Sequence, residues 1–304
     1  MEGRKLASEY SGWYAWGHYL LSHSTGDNDL ASAPKCRIVE RSRIFACLGL
    51  ACFGAACSSG QGDGGFPFAG SCVLTAAVMS GGASSYSASA EFGSPLTPPP
   101  FCQNGTAAGS CCLYTGGGPD GGAVASPMVS AGMLTAVDHL TPIATMQFDV
   151  GTNAYPLVAQ ANPWGAGDTL SWSGDGEVAG TFSGSVTAPS ALQGLNPNPG
   201  AQAVPIQRDA DLTIFWAPDA VTSGAKMRVD LSEGYPVQFS TLIVCEADDS
   251  AGTVVVPMSL LQQLTTNGTG YLLYQRINQS TTDGHNVSVN LVAESTAYAA
   301  ATFK

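Results

Sequence analysis

Apolar and polar residues alternate along much of the chain after residue 85. In the segment 86–92 (YSASAEF), tyrosine, alanine and phenylalanine alternate with serine and glutamate. The same period of two, or a short apolar run, recurs at 144–150, 170–172, 182–186, 212–216, 227–231, 242–245, 253–256, 271–277, 287–291 and 297–303. A period of two is typical of strands that bury one face of a sheet. The pattern therefore predicts an all-β chain.

Proline and glycine interrupt the predicted strands. Pro95 and the prolines that follow it exclude regular strand pairing, and the glycine-rich segment 116–122 predicts a surface loop. One short helix is predicted after Pro257, because the apolar run SLLQQL follows it and Asn267 and Gly268 offer a stop.

The spacing of these elements predicts how the chain is divided. About nine short strands after residue 166 predict a two-sheet sandwich that is immunoglobulin-like in outline. The Cys…Trp…Cys spacing of true immunoglobulin domains is absent. The predicted organisation is an upstream segment with a signal peptide (1–57), a flexible tether (58–68), a cysteine-bearing β region (69–165) and an immunoglobulin-like β-sandwich (166–304).

A secretory signal is predicted between residues 41 and 60. Arg41 and Arg43 precede an apolar run at 44–53, which is followed by small residues and Cys57. A positive region, an apolar core and small residues before a cleavage site form the layout of an export signal. A membrane span is the alternative, but it needs about 20 apolar residues, and the chain turns polar at Gln61.

Cys57 resembles the acylated cysteine of the bacterial lipoprotein lipobox, in which that cysteine becomes the lipid-bearing N-terminus. The sequence departs from the lipobox at Gly54, where leucine is usual. Plain cleavage, or use of another cysteine in this segment, are the alternatives. The resemblance implies lipidation at Cys57, and Ser58 in place of aspartate implies transfer to the outer membrane.

Residues 1–38 precede the signal and contain a cluster of aromatic residues, Trp13, Tyr14, Trp16 and Tyr19. Signals begin near the N-terminus, so we interpret this stretch as upstream sequence translated in error, with an alternative start at Val39. A functional N-terminal arm is the other interpretation.

The chain from Cys57 onward is strongly acidic. It has five lysines or arginines against eighteen aspartates or glutamates, a net charge of −13. Such a surface repels phosphate backbones, so nucleic acid is excluded as a partner. The acidity itself is typical of a soluble exported protein.

The cysteines after Cys57 predict disulfides. Cys72, Cys102, Cys111 and Cys112 cluster early, whereas Cys245 stands alone in an apolar run. In an oxidising compartment, four clustered cysteines predict two disulfides. A zinc site is the alternative, but there is no nearby histidine and no CxxC pair. We therefore expect Cys245 to be the free, buried thiol.

No motif for catalysis, metal binding or a cofactor is found. The chain lacks GxSxG, and after Cys57 it contains only His139 and His285. Three acidic turns could supply oxygen ligands to calcium, but none has the spacing of a calcium loop. They are Asp175 with Glu177, Asp209 with Asp211, and Glu246 with Asp248 and Asp249. We expect no metal and no cofactor.

Trp164 is the candidate ligand-binding residue. It lies in the loop NPWGAG, outside the alternating pattern that places Trp172 and Trp216 in the core. An exposed indole there would form a platform for sugar rings, and the alternative is that Trp164 closes its loop against the core.

These observations predict a non-enzymatic cell-envelope lipoprotein. It would act as an interaction or structural module, held to the membrane by a lipid anchor, with an envelope glycan or protein as partner. A carbohydrate-binding module is the alternative, and a hydrolase with a scattered site is the third hypothesis.

Several phrases of the sequence resemble a group of uncharacterised secreted or lipid-anchored proteins from myxobacteria. The phrases are SYSASAEFGSP, SCCLYT, VSAGMLT, GDTLSWSGDGEVAGTFSGSVTAPSAL, DLTIFW and GTVVVPMSLLQQL. The similarity covers most of residues 70–304. It implies export and a β-sandwich, and it implies no activity.

Overall fold

A computed structural model describes residues 66–78, 84–94, 101–115, 128–159, 163–200, 202–234 and 240–304. The predicted signal, Cys57 and most of the tether lie outside the described residues. Within the described ranges, no helix is long and apolar enough to cross a membrane.

The regular secondary structure of the described chain is almost entirely β-strand, as the alternating pattern predicts. The strands are β1 (Phe68–Val78), β2 (Ser84–Gly93), β3 (Thr106–Ala108), β4 (Cys111–Thr115), β5 (Leu134–Asp138), β6 (Thr141–Met146), β7 (Val158–Ala159), β8 (Thr169–Gly174), β9 (Phe182–Thr187), β10 (Val204–Ile206), β11 (Leu212–Phe215), β12 (Lys226–Glu233), β13 (Thr241–Asp248), β14 (Thr253–Val256), β15 (Thr269–Asp283) and β16 (Val287–Phe303). One short helix, α1 (Met258–Leu261), follows Pro257 at the predicted position. The all-β fold class is confirmed.

Ten of these strands form one large mixed sheet. Its order is β3–β4–β13–β12–β15–β16–β1–β2–β7, and β10 also pairs with β16. β15 and β16 are long antiparallel partners, whereas β1 and β10 pair with the other edge of β16 in parallel. The parallel pairs were not predicted, and an immunoglobulin-like arrangement is not confirmed. Strands from both predicted ranges, 69–165 and 166–304, share this sheet.

Two smaller sheets accompany the large one. β6, β5, β8 and β9 form a four-stranded sheet, and β11 pairs with β14. The first core contains Leu134, Trp172 and Leu291, and the second contains Ile214, Trp216 and Phe303. Because Leu291 and Phe303 are an even number of residues apart on β16, both cores lie on the same face of the large sheet.

The cysteine pairing differs from the prediction. Cys102 is bonded to Cys112, and Cys111 is bonded to Cys245. Cys72 is a free cysteine and is fully buried in the first core, where burial raises the pKa of its thiol. The prediction that Cys245 is free and Cys72 bridged is therefore wrong. β4 and β13 are neighbours in the sheet and place Cys111 directly opposite Cys245.

Candidate functional site

Trp164 does not form the exposed platform expected of a sugar-binding residue. Its side chain is only 8% exposed and belongs to the first core. Its ring meets Tyr86 edge to face, with 4.9 Å between the ring centroids. The expectation of an exposed platform is wrong, and the alternative, loop closure against the core, is confirmed.

Two of the three acidic turns considered as calcium ligands contain carboxylates that bind other protein groups. Asp249 is buried and accepts a hydrogen bond from Arg276 Nε at 2.8 Å. Asp248 forms an exposed ion pair with Lys226. Asp211 accepts a hydrogen bond at 2.7 Å from the backbone N–H of Met258, at the start of α1. These carboxylates stabilise the fold.

Arg276 links several segments beneath β11. It lies on β15, is 1% exposed, and faces the same side of the sheet as the two cores. Besides Asp249, its guanidinium donates to the carbonyl oxygens of Ser190, Ala191 and Ala217. Because a buried guanidinium needs such partners, these contacts fix the loops on either side of β11.

The pair β11–β14 has an exposed outer face, which we name the β11 surface and define as Thr213, Phe215 and Val255. Phe215 is 46% exposed and Val255 is 44% exposed. They are diagonal neighbours, because Thr213 lies opposite Val255 in the ladder. The alternate residue, Ile214, is fully buried in the second core. The β11 surface is therefore an apolar strip on a rigid support.

The edge of β11 that faces away from β14 is only partly paired. Phe215 N–H donates to Asn196 O at 2.9 Å, and Asn196 N–H donates to Phe215 O at 3.0 Å. The backbone N–H and C=O groups of successive residues point to opposite edges of a strand. Thr213 and Phe215 are two residues apart, so both direct these groups to the edge of β11 that faces away from β14. Among the described residues, β11 has no pairing on this side other than the Asn196 bridge.

A groove of about 530 Å³ lies where the chain passes β11. It is lined by residues between Asn196 and Pro205, most of them proline, asparagine, glutamine or small residues. One wall is held in place because Tyr274 Oη donates to the carbonyl oxygen of Pro197 at 2.5 Å. Asn196 lines the groove and also pairs with Phe215, so the groove lies next to the partly paired edge of β11.

A second group of polar side chains lies at the β5–β6 turn. Asp138, His139 and Asp168 each place one possible ligand atom within 4.8 Å of the others. His139 Nδ1 lies 2.6 Å from Asp138 Oδ1, and the histidine side chain is 72% exposed. Asp138 pairs with Leu170 in the β5–β8 ladder, which brings Asp168 beside the turn. In the described part of the chain, this is the group with metal-ligand spacing.

Within the part of the chain that the structure describes, neither His139 nor His285 is bonded to a serine or cysteine side chain. Among the described residues, the side-chain hydrogen bond of His139 is with Asp138, and His285 is an exposed turn residue whose backbone N–H donates to Thr181 O.

A buried polar row crosses the other face of the large sheet. Arg228 and Asp230 form a bidentate ion pair, with N–O distances of 2.7 and 2.9 Å. Gln275, beside Arg228 in the ladder, donates to Glu294 at 3.4 Å, and Thr75 donates to Glu294 at 2.7 Å. Burial raises the pKa of Glu294 to about 7. The row contributes to stability in a way that depends on pH.

Sequence reasoning missed both the β11 surface and the Asp138–His139–Asp168 group. The alternation at 212–216 predicts the buried positions Ile214 and Trp216, and both are in the core. The same alternation marks Phe215 as outward-facing, and that signal was available. Asp168 is far from His139 in sequence, so only the strand pairing brings them together.

No family model and no curated protein matches this chain. A search of solved structures returned the Mu homology domain of Fcho1 from Danio rerio with a bound Eps15 peptide. That structure is 8% identical, with a TM-score of 0.18, over 79% of this chain and 98% of the other. A similarity of this size carries no argument about function.

Proposed function

We propose that this protein is an exported, non-enzymatic interaction module that binds an extended segment of another envelope protein at the β11 surface. The observation that carries the proposal is the partly paired edge of β11 beside exposed Phe215 and Val255. An unpaired strand edge offers backbone donors and acceptors to an incoming strand, and alternate side chains supply the specific contacts.

The residues that pack beneath the edge of β11 hold it rigid, which favours specific binding over aggregation. Trp216 follows β11 directly, is buried, and donates its indole N–H to Asp249 O at 2.8 Å. Arg276 holds the carbonyl oxygen of the next residue, Ala217. A rigid edge loses little conformational entropy when a partner strand is added. The edge is also short, which limits nonspecific pairing.

Export and lipid anchoring through Cys57 belong to the same proposal. The two disulfides support an oxidising compartment, because such bonds are rare where thiols are kept reduced. Cys57 itself lies outside the described residues. An outer-membrane location follows from the lipobox resemblance and remains part of the proposal.

One experiment in cells tests both parts. A photo-cross-linking amino acid is placed at Phe215, and at Val178 as a matched control, since Val178 is also apolar and exposed. Cells are fed an alkyne fatty acid. We expect a discrete protein adduct from position 215 only, lost when Thr213→Pro removes an edge N–H. We expect the fatty-acid label to be lost in Cys57→Ala.

Three results would contradict the proposal. Equal adducts from positions 215 and 178 would show nonspecific contact. Adducts that persist in Thr213→Pro would exclude strand addition. A label that persists in Cys57→Ala would exclude that anchor. Glycan binding by the purified chain that is lost in Phe215→Ser would instead favour the carbohydrate-binding alternative, with Phe215 in place of Trp164.

A further inference from the structure

We propose that Asp138, His139 and Asp168 bind a divalent transition-metal ion, with zinc as the probe of choice. This site is independent of the β11 surface and does not rest on the proposed function. It departs from the sequence-based expectation that the chain holds no metal.

The geometry suits one small ion. One ring nitrogen and two carboxylate oxygens lie within 4.8 Å of one another. Zinc binds nitrogen and oxygen ligands at about 2.0–2.2 Å, which separates ligands of a tetrahedral ion by about 3.4 Å. The three groups therefore need only small side-chain rotations to surround an ion. The exposure of His139 leaves its ring free to make that adjustment.

The ligand set selects the class of ion. An imidazole with two carboxylates suits borderline ions such as zinc. Calcium takes six to eight oxygen ligands, and this group offers two carboxylates and a nitrogen. Three protein ligands also leave a coordination position open, so the site could accept water or a ligand from a partner.

The charge balance is a separate argument for a cation. In the described ranges, neither Asp138 nor Asp168 forms an ion pair with lysine or arginine, because the ion pairs of the basic residues are with Asp248, Asp230 and Asp249. Two carboxylates and a histidine thus converge without a basic side chain. A bound divalent ion would neutralise both carboxylates.

The local hydrogen bonds already hold the proposed ligands close together. His139 Nδ1 lies 2.6 Å from Asp138 Oδ1. A bound ion would take the place of this hydrogen bond between the ring nitrogen and the carboxylate oxygen. Asp168 is held nearby because its carboxylate accepts a hydrogen bond at 2.5 Å from the backbone N–H of Gly165.

The test is calorimetric titration of the full chain with zinc chloride after removal of bound metal with a chelator. His139→Asn and Asp168→Asn are compared with His285→Asn, a control at the other exposed histidine. We expect a saturable site in the wild type and in His285→Asn, with at least tenfold weaker binding in the other two variants. NMR of the histidine rings should show zinc shifting the signals of His139.

The experiment still tests the metal site if one of the variants is destabilised. Asp168→Asn could disturb its own loop through Gly165, but His139→Asn changes an exposed side chain and should leave the melting temperature unchanged. No saturable zinc binding to the wild type would overturn the proposal. Equal affinity in the wild type and His139→Asn, or zinc shifts at His285 alone, would also overturn it.

Discussion

Glu294 is a buried carboxyl group whose oxygens accept hydrogen bonds from Thr75 and Gln275. It is 3% exposed, and burial raises the pKa of Glu294 from 4.5 to about 7, although Thr75 and Arg228 oppose the shift. Below about pH 4.5 the group is protonated in both the folded and the unfolded chain. Between these two values the folded chain keeps the proton while the unfolded chain releases it.

The free energy of unfolding should therefore fall as pH rises from 4.5 to 7, and this contribution should stay constant above pH 7. Its size is on the order of 3 kcal/mol. Glu294→Gln cannot ionise, so the variant should match the wild type near pH 4 and exceed it in stability at pH 8. Urea unfolding at several pH values measures the difference.

The exposed carboxylate of Glu177 supplies the control. Glu177→Gln should follow the wild type across the whole pH range. A stability difference between Glu294→Gln and the wild type that does not change with pH would contradict the assignment of this titration to Glu294.

For individual residues, the sequence predicted which side chains are buried better than it predicted which residues those side chains bond to. Trp172 and Trp216 are 1% and 4% exposed, as their phase in the alternating pattern indicated. Cys72 and Cys245 are both buried too, but which of them is bonded depends on the order of strands in the sheet. Periodicity within one strand holds no information about that order, so the pairing could not be read from the sequence.

At the scale of the secondary-structure elements, the two disulfides join β4 to segments at very different distances along the sequence. Cys102–Cys112 closes a short loop, with ten residues of sequence separation, whereas Cys111–Cys245 joins β4 to β13 over a separation of 134. In the chain-entropy account, a longer closed loop restricts the unfolded chain more. The expected stabilisation is about 3 kcal/mol for the short loop and about 5 kcal/mol for the long one.

Two double variants test whether the long loop contributes more stability than the short one. The first combines Cys102→Ala with Cys112→Ala, and the second combines Cys111→Ala with Cys245→Ala. The second pair should lower the free energy of unfolding in guanidinium by more than the first. Equal losses, or a larger loss from the short loop, would show that local packing outweighs the entropy of loop closure at these bonds.

Strand positions were largely predictable, and strand order was not. The alternation at 86–92 lies within β2, and the short helix begins after Pro257 as expected. The parallel pairing of β1 with β16 joins segments more than 200 residues apart. Nothing in the local pattern of either strand distinguishes a parallel neighbour from an antiparallel one. For the same reason, the edge of β11 became visible only in the assembled sheet.

At the scale of the molecule, the two cores share the long strand β16. The first core rests on Leu291 and the second on Phe303, both on one face of β16. Arg276 is buried on the same face of β15 and bonds to Asp249 and to the carbonyl oxygens of neighbouring loops. Since neither core can lose β16 without disturbing the other, we expect the two cores to unfold together.

Trp216→Ala tests this coupling, because Trp216 lies in the second core and Cys72 in the first. Removing the indole should cost about 3–5 kcal/mol, a large share of the 5–15 kcal/mol typical of a folded domain. Labelling of the Cys72 thiol, followed by peptide mass analysis across a denaturant series, reports when the first core opens.

If the cores unfold together, Cys72 should become reactive at a lower denaturant concentration in Trp216→Ala, with the same midpoint as the loss of circular dichroism. Phe215→Ala, at an exposed neighbour, should shift the midpoint much less. A Cys72 midpoint that stays at the wild-type value while the rest of the chain unfolds earlier would instead support separate domains. The continuous strand β16 through both cores, with Arg276 buried on the same face of the large sheet and bonded to Asp249, favours the single transition.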